Sequence, residues 1–305
     1  MTLTFPGIRT FLRSWCSQQP QTAFVVLGLP SDCATSHRPG ARMAPAAIRE
    51  ASLHLTDGVC DDWPVNVTNN ITDLGDANLS MGNLAVTLTE IQQIIAQLHA
   101  AEHHVVAMGG DHSVTLGILR GMHHRYPRMA CVHLDAHCDT WQRHGSQPQG
   151  HGTWLRNAIE EGLVDPEKTV SIGVRSPADN PTRFWLNTQG GLTISAKSAM
   201  RAQPYELFAS IRDRIGDTPC YFTLDIDVLD PAHAPGTGTP EIGGLTSMWV
   251  DEFIDCLHAV NLVGMDCVEV APAYDHSDIT SLAAATFMWR YLSMQIQKNL
   301  QTPVD

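Results

Sequence analysis

The run Cys131-Val-His-Leu-Asp-Ala-His-Cys-Asp139 limits the possible folds more than any other stretch, because it begins apolar enough to be buried and ends in ionisable side chains. Met129–Leu134 reads as a buried β-strand by its apolar content and turn-rich flanks. In extended backbone, Asp135, His137 and Asp139 at i, i+2 and i+4 share one side. Two carboxylates and an imidazole converging there suit a divalent ion such as manganese, zinc, cobalt or nickel. Tyr221–Asp225 repeats the design, ending in Asp225 and Asp227, and His104–Met108 runs into Gly109-Gly110-Asp111-His112. Uncompensated charges gathered beside a core are costly, and bound cations remove that cost. Four carboxylates and two imidazoles exceed the needs of one ion, so the expectation is a two-metal centre built from His112, Asp135, His137, Asp139, Asp225 and Asp227.

Around these runs, strand and helix signals alternate along the chain. Strands are expected over 22–28, 70–79, 104–108, 129–135, 169–174, 192–195, 220–225 and 262–270. Helices are expected from Pro45, whose place in a first turn is favourable, and over 83–101, 114–124, 154–161, 205–215, 247–260 and 279–298. No repeat or composition break interrupts them, which predicts one α/β domain over 1–305 with a mainly parallel sheet. Residues 1–20 read as an N-terminal arm with a short amphipathic piece over 8–15, of the kind that packs on a neighbouring subunit. The ligand candidates all follow strands, on the carboxyl edge where α/β proteins place their sites. Residues 140–152, poor in apolar side chains, read as a substrate loop after a metal-bearing strand.

Composition narrows the partners. A net charge of −13 without a basic cluster argues against nucleic acid and anionic membranes. No run of 18 apolar residues predicts a membrane span, and the N-terminus lacks a basic-then-apolar signal. The eight cysteines form no Cys-x-x-Cys pair; reduced thiols in a cytoplasmic protein are expected.

Gly109-Gly110-Asp111-His112-Ser113, Asp135-Ala136-His137-Cys138-Asp139 and Asp225-Ile226-Asp227-Val228-Leu229-Asp230-Pro231 together resemble the ureohydrolase family of arginases and agmatinases, over about Gly28 to Ala285. Ala234–Pro240 and Gly264–Pro272 resemble the agmatinase branch. The resemblance implies a three-layer arginase-like α/β sandwich, two bridged manganese ions and a trimer or hexamer, possibly with a homologous subunit; nickel is the second metal that suits these ligands. It implies that His112 and Asp139 bind the first ion, that His137 and Asp227 bind the second, and that Asp135 and Asp225 bridge them. His151 matches a loop histidine that shuttles protons, although by itself it reads as an exposed loop residue. Glu269 matches the glutamate that pairs with the substrate's guanidinium. Hydrolysis of a guanidine to urea and an amine follows, with Asp139 or His151 protonating the departing nitrogen.

The far end of the substrate stays open in the sequence. Agmatine is the family default. The run between Asp139 and His151 contains no acid but does contain Arg143, which fits the carboxylate of a guanidinobutyrate-type acid. Trp141 and Trp154 could instead wall an apolar pocket for an alkylated guanidine or biguanide. Two rival classes remain: a deacetylase-like amidohydrolase with one zinc, and a silent structural subunit of a hetero-oligomer.

Overall fold

A computed structural model describes residues 9–55 and 58–301. Nine strands form one sheet: β1 (Trp15–Cys16), β2 (Phe24–Gly28), β3 (Ile71–Asp76), β4 (His104–Met108), β5 (Met129–Leu134), β6 (Val164–Val174), β7 (Leu192–Ser195), β8 (Cys220–Asp225) and β9 (Leu262–Val268). Their order is β1-β3-β2-β4-β9-β8-β5-β6-β7, and every pairing within it is parallel. A parallel sheet needs both faces covered, and strand alternation delivers this. Val26, Val106, Val132 and Phe222 face a core shared with helices 44–52, 204–215, 247–256 and 279–301. Val25, Val105, Cys131 and Tyr221 face the opposite core, shared with helices 84–100, 114–122 and 154–160. The result is the three-layer α/β arrangement expected from the sequence. Among the described residues no helix is long and apolar enough to cross a membrane.

Two segments differ from expectation. Of the N-terminal arm, residues 1–8 lie outside the described residues. The short amphipathic piece expected over 8–15 contains a 3-10 turn, Phe11–Arg13, and is followed by β1. Its backbone donors are taken by distant acceptors: Phe11 N–H by Asp73 Oδ2 at 2.8 Å and Leu12 N–H by Ser52 Oγ at 2.9 Å. Phe11 and Leu12 thereby join this chain's own core. β6 begins at Val164, five residues before the strand expected from Thr169. Its pairing shifts register between Met129↔Val164 and Cys131↔Thr169, and the polar residues 165–168 at that irregularity hide the strand.

His104 opens β4 with its ring packed on Phe24 and Tyr291, Nε2 lying 2.8 Å from the Tyr291 hydroxyl. Burial pushes its pKa down to about 3. Between the ordinary value near 6.5 and about 3, the unfolded chain therefore binds a proton that the folded chain does not. Stability falls as pH drops through that window. Urea unfolding of His104→Phe at pH 7 and pH 5 should show about 2 kcal/mol less acid-induced loss than the parent, whatever the change in baseline.

Candidate active site

The four central strands, in the order β4-β9-β8-β5, bring the expected residues together at their carboxyl ends. Leu134 lies opposite Leu224, so Asp135 follows in the row beside Asp225. Asp225 itself pairs with Val268, which leads directly into Glu269. β4 pairs with β9 up to Met108↔Cys267, which delivers the Gly109–His112 turn to the same edge. His112 Nδ1 stands 3.1 Å from Asp135 Oδ2, 3.1 Å from Asp225 Oδ2 and 3.3 Å from Asp139 Oδ2. His137 Nδ1 stands 3.0 Å from Asp227 Oδ2 and 3.3 Å from Asp135 Oδ1. Two groups of donors able to hold an ion emerge, His112, His133, Asp135 and Asp139 in one and Asp135, His137 and Asp227 in the other. Asp135 belongs to both.

The ligand candidates converge by turns rather than by strand alternation. β5 ends at Leu134, and Asp139 has φ of 50°, in the left-handed region. Ile226–Val228 is a 3-10 turn, in which Asp225 Oδ1 accepts the Asp227 N–H at 2.8 Å. Glu269 is likewise left-handed, with φ of 64°. Such backbone is held by its surroundings at a cost of order 1–3 kcal/mol per residue.

Charge crowding is severe. Asp135, Asp139, Asp225 and Asp227 are at most 3 % exposed. Burial, reinforced by the charge of Asp135, pushes the Asp139 carboxyl well above the usual range, and burial with Asp227 and Asp135 does the same to Asp225. At Asp135 burial acts in the same sense, but the charge of His133 and hydrogen bonds from three imidazoles outweigh it and hold that carboxyl well below. Oxygen-rich donors with two imidazoles, too negative to be ionised together without cations, fit a pair of borderline-hard divalent ions.

Beside the cluster, Glu269 Oε1 accepts the His112 N–H at 2.9 Å and pairs with His151 Nδ1 at 3.1 Å. Its other oxygen, Oε2, is buried without a partner. The second nitrogen of His151 meets Ser36 Oγ at 2.9 Å. Burial alone would lower the His151 pKa, but the bond and charge of Glu269 raise it to about 9. A cavity of about 820 Å³ opens over these residues, with Arg38, Trp141, Arg143, His144 and Glu241 on its walls.

Several residues depart from the sequence reading or were absent from it. Trp154 does not wall the cavity; it is fully buried beneath the cluster, where its Nε1–H donates to Asp139 Oδ2 at 2.6 Å. Arg143 is exposed at the rim, its Nη1 3.4 Å from the Ser146 carbonyl. Asp32 is tied to Arg42 and is absent from the cavity walls. His133, Thr223 and Asp266 had not been singled out. His133 Nε2 lies 2.7 Å from Asp135 Oδ2, and Thr223 links His112 Nε2 at 2.9 Å to Asp266 at 2.5 Å. A buried His or Asp inside an otherwise apolar strand was the signal available for two of the three.

The loop over the site depends on close backbone approach. A Cβ on Gly110 would stand 1.8 Å from the Ser31 carbonyl oxygen, which also accepts the Asp111 N–H at 2.8 Å. Gly110→Ala should therefore cost about 3 kcal/mol in urea unfolding, at the upper end of ordinary overpacking, because backbone rather than a side-chain tip must move.

Comparison with known proteins gives a consistent result. A sequence model of the arginase family matches residues 22–293. An agmatinase of Serratia proteamaculans is 41% identical over 297 residues, covering 96% of this chain and 94% of the relative. A hypothetical agmatinase from Burkholderia thailandensis superposes with a TM-score of 0.89 at 33% identity, over 97% of this chain and 93% of that one. The proclavaminate amidino hydrolase of Streptomyces clavuligerus superposes with a TM-score of 0.88 at 36% identity, over 95% and 99%.

Proposed function

The chain belongs to the arginase family, and we propose that this ureohydrolase acts on a small guanidine other than arginine, releasing urea and an amine. The observation that carries the reading is Glu269 Oε2, a buried carboxylate oxygen with no partner, beside the donor cluster and on the cavity wall. A guanidinium N–H is the donor it lacks. In this reading His112 and Asp139 hold one divalent ion, His137 and Asp227 the other, and Asp135 and Asp225 serve both. When bound, such a pair supplies Lewis acidity and a nucleophile from water at neutral pH. Manganese is the first choice and nickel the second.

The chain's own residues account for the rest of the reaction. Glu269 orients the guanidinium, with Oε1 already fixed by His112 and His151. Water adds its oxygen to the guanidinium carbon, the bond to the substituted nitrogen breaks, and that nitrogen leaves with a proton as the amine. His151, held protonated by Glu269, is placed to give that proton and is restored from solvent. A one-zinc amidohydrolase would have no use for the second group, Asp135, His137 and Asp227.

The relatives named agmatinase favour agmatine. A second reading, a guanidino acid of the guanidinobutyrate type, is favoured by Arg38 and Arg143 on the cavity wall. Glu241 is the carboxylate on the wall outside the cluster and Glu269, and its Oε1 is taken by Ser176 Oγ at 2.8 Å. Urea release should be measured over agmatine, arginine, guanidinobutyrate and alkylguanidines, with manganese and with nickel. Agmatine turning over best, unaffected by Arg143→Ala, supports the first reading; a loss confined to guanidino acids supports the second. No urea from any guanidine would overturn both. Light scattering tests the trimer or hexamer that the family resemblance implies.

Two substitutions test the roles. Asp135→Ala should remove both ions, read by elemental analysis, whereas two full equivalents would refute the bridging assignment. Glu269→Gln should leave metal content intact and lower kcat by at least the ~10²-fold typical of losing one electrostatic partner of the transition state. Near-normal turnover would return Glu269 to a structural role.

A further inference from the structure

We propose that Trp154 is a positioning residue for one ion of the pair, fixing two of its ligands at once; the inference rests on the two-metal reading above. The indole is 0 % exposed. Its ring lies over that of His112, with centroids 4.8 Å apart and planes inclined by 26°, and meets His133 edge-on at 5.2 Å. Its Nε1–H donates to Asp139 Oδ2 at 2.6 Å.

Each contact constrains a donor atom. A buried indole N–H needs an acceptor, and many acceptors would serve for packing alone. Here the acceptor is a carboxylate crowded by like charges. The indole nitrogen is a donor only, so it stabilises the ionised form of Asp139 and restrains carboxylate rotation. Asp139 needs that restraint, since its left-handed backbone is otherwise secured by one described bond, which its carbonyl accepts from Arg156 N–H at 3.3 Å. The stacked ring also fixes the plane of His112, so that Nδ1 faces Asp135, Asp139 and Asp225 while Nε2 reaches Thr223.

The contacts are one-sided. Those described for Trp154 reach His112, His133 and Asp139, and none reaches His137 or Asp227. A general packing role would loosen both ions together, whereas a positioning role loosens one. Trp154 also closes the short turn His151–Thr153, whose first residue holds Glu269. The segment 151–154 therefore ties the substrate carboxylate at one end to the metal ligands at the other.

The test is metal binding by protein stripped with a chelator, with no activity readout required. Trp154→Phe keeps an aromatic ring and removes the N–H. Calorimetric titration with manganese should show two equivalents in the parent. In Trp154→Phe one dissociation constant should rise roughly 10–100-fold, the usual effect of losing an outer partner of a metal ligand, and the other should stay unchanged. Cobalt(II) loading should give an altered visible spectrum for the weakened site alone. Two unchanged constants, or two constants raised equally, would overturn the proposal. A parent that fails to bind two ions would overturn the two-metal reading itself and the proposal with it. Should Trp154→Phe not fold, emission of the parent decides. Trp154 and Trp249 are its buried indoles, so the first equivalent of cobalt(II) should quench the blue edge of the spectrum; quenching confined to the red edge would refute the role.

Discussion

Four aspartates gathered out of water at one end of the sheet are the constraint to which the rest of the molecule answers. Each ion taken from water costs several kcal/mol, and like charges add to that. The sheet imposes the crowding, because Asp135 and Asp225 occupy one row on adjacent strands. It also prepares the relief. One same-face row earlier, Ser171, His133, Thr223 and Asp266 stand side by side in register across β6, β5, β8 and β9. Ser171 Oγ meets His133 Nδ1 at 2.9 Å, and Asp266 takes hydroxyls from Thr115, Tyr221 and Thr223. This polar row, buried inside a parallel sheet, would be wasteful in a core that had only to be stable. Its bonds end on His112 and Asp135, so its cost is incurred in aiming ligands.

The loops extend the same logic outward. Asp111, beside the ligand candidate His112, accepts the Ala34 N–H at 2.9 Å and so ties the 31–40 loop to the cluster. Arg175 donates to the carbonyls of Asp227 at 2.7 Å and Glu241 at 2.7 Å, tying the 230–244 loop to the turn that carries Asp227. His151 joins Ser36 to Glu269. The left-handed backbone of Glu269 therefore sits where several segments meet, the circumstance in which strained conformations persist.

The sequence made the strands legible because burial on both faces leaves near-continuous apolar runs, and it made the ligand set legible because ionisable residues at the ends of such runs stand out. It did not reveal how the ligands converge. The i, i+2, i+4 spacing of Asp135, His137 and Asp139 suggested pleat alternation, whereas a turn with a left-handed Asp139 does the work. β1 was invisible because two residues carry no periodicity, and the start of β6 because residues 165–168 are polar. Whether Trp154 walls the pocket or packs inside was left open, because spacing along a loop does not say which side chain turns inward. Thr223 could not be noticed at all, since a threonine in a strand is ordinary until its register partner is Asp266.

Floor and rim of the cavity differ in how tightly they are held. On the floor nearly every donor and acceptor is committed to another site residue, so a substitution there leaves a buried group unpaired and costs stability and chemistry together. At the rim, Arg143 is exposed and makes one long bond to a carbonyl, and the His144↔Gln147 bridge closes a loop with solvent on its outer side. Substitutions in such a loop ordinarily change stability by less than about 0.5 kcal/mol. The donor cluster is thus locked into the sheet edge, while rim side chains can change at little cost to stability. Glu241 stands between these two levels, on the cavity wall with its Oε1 3.9 Å from His137 Nε2.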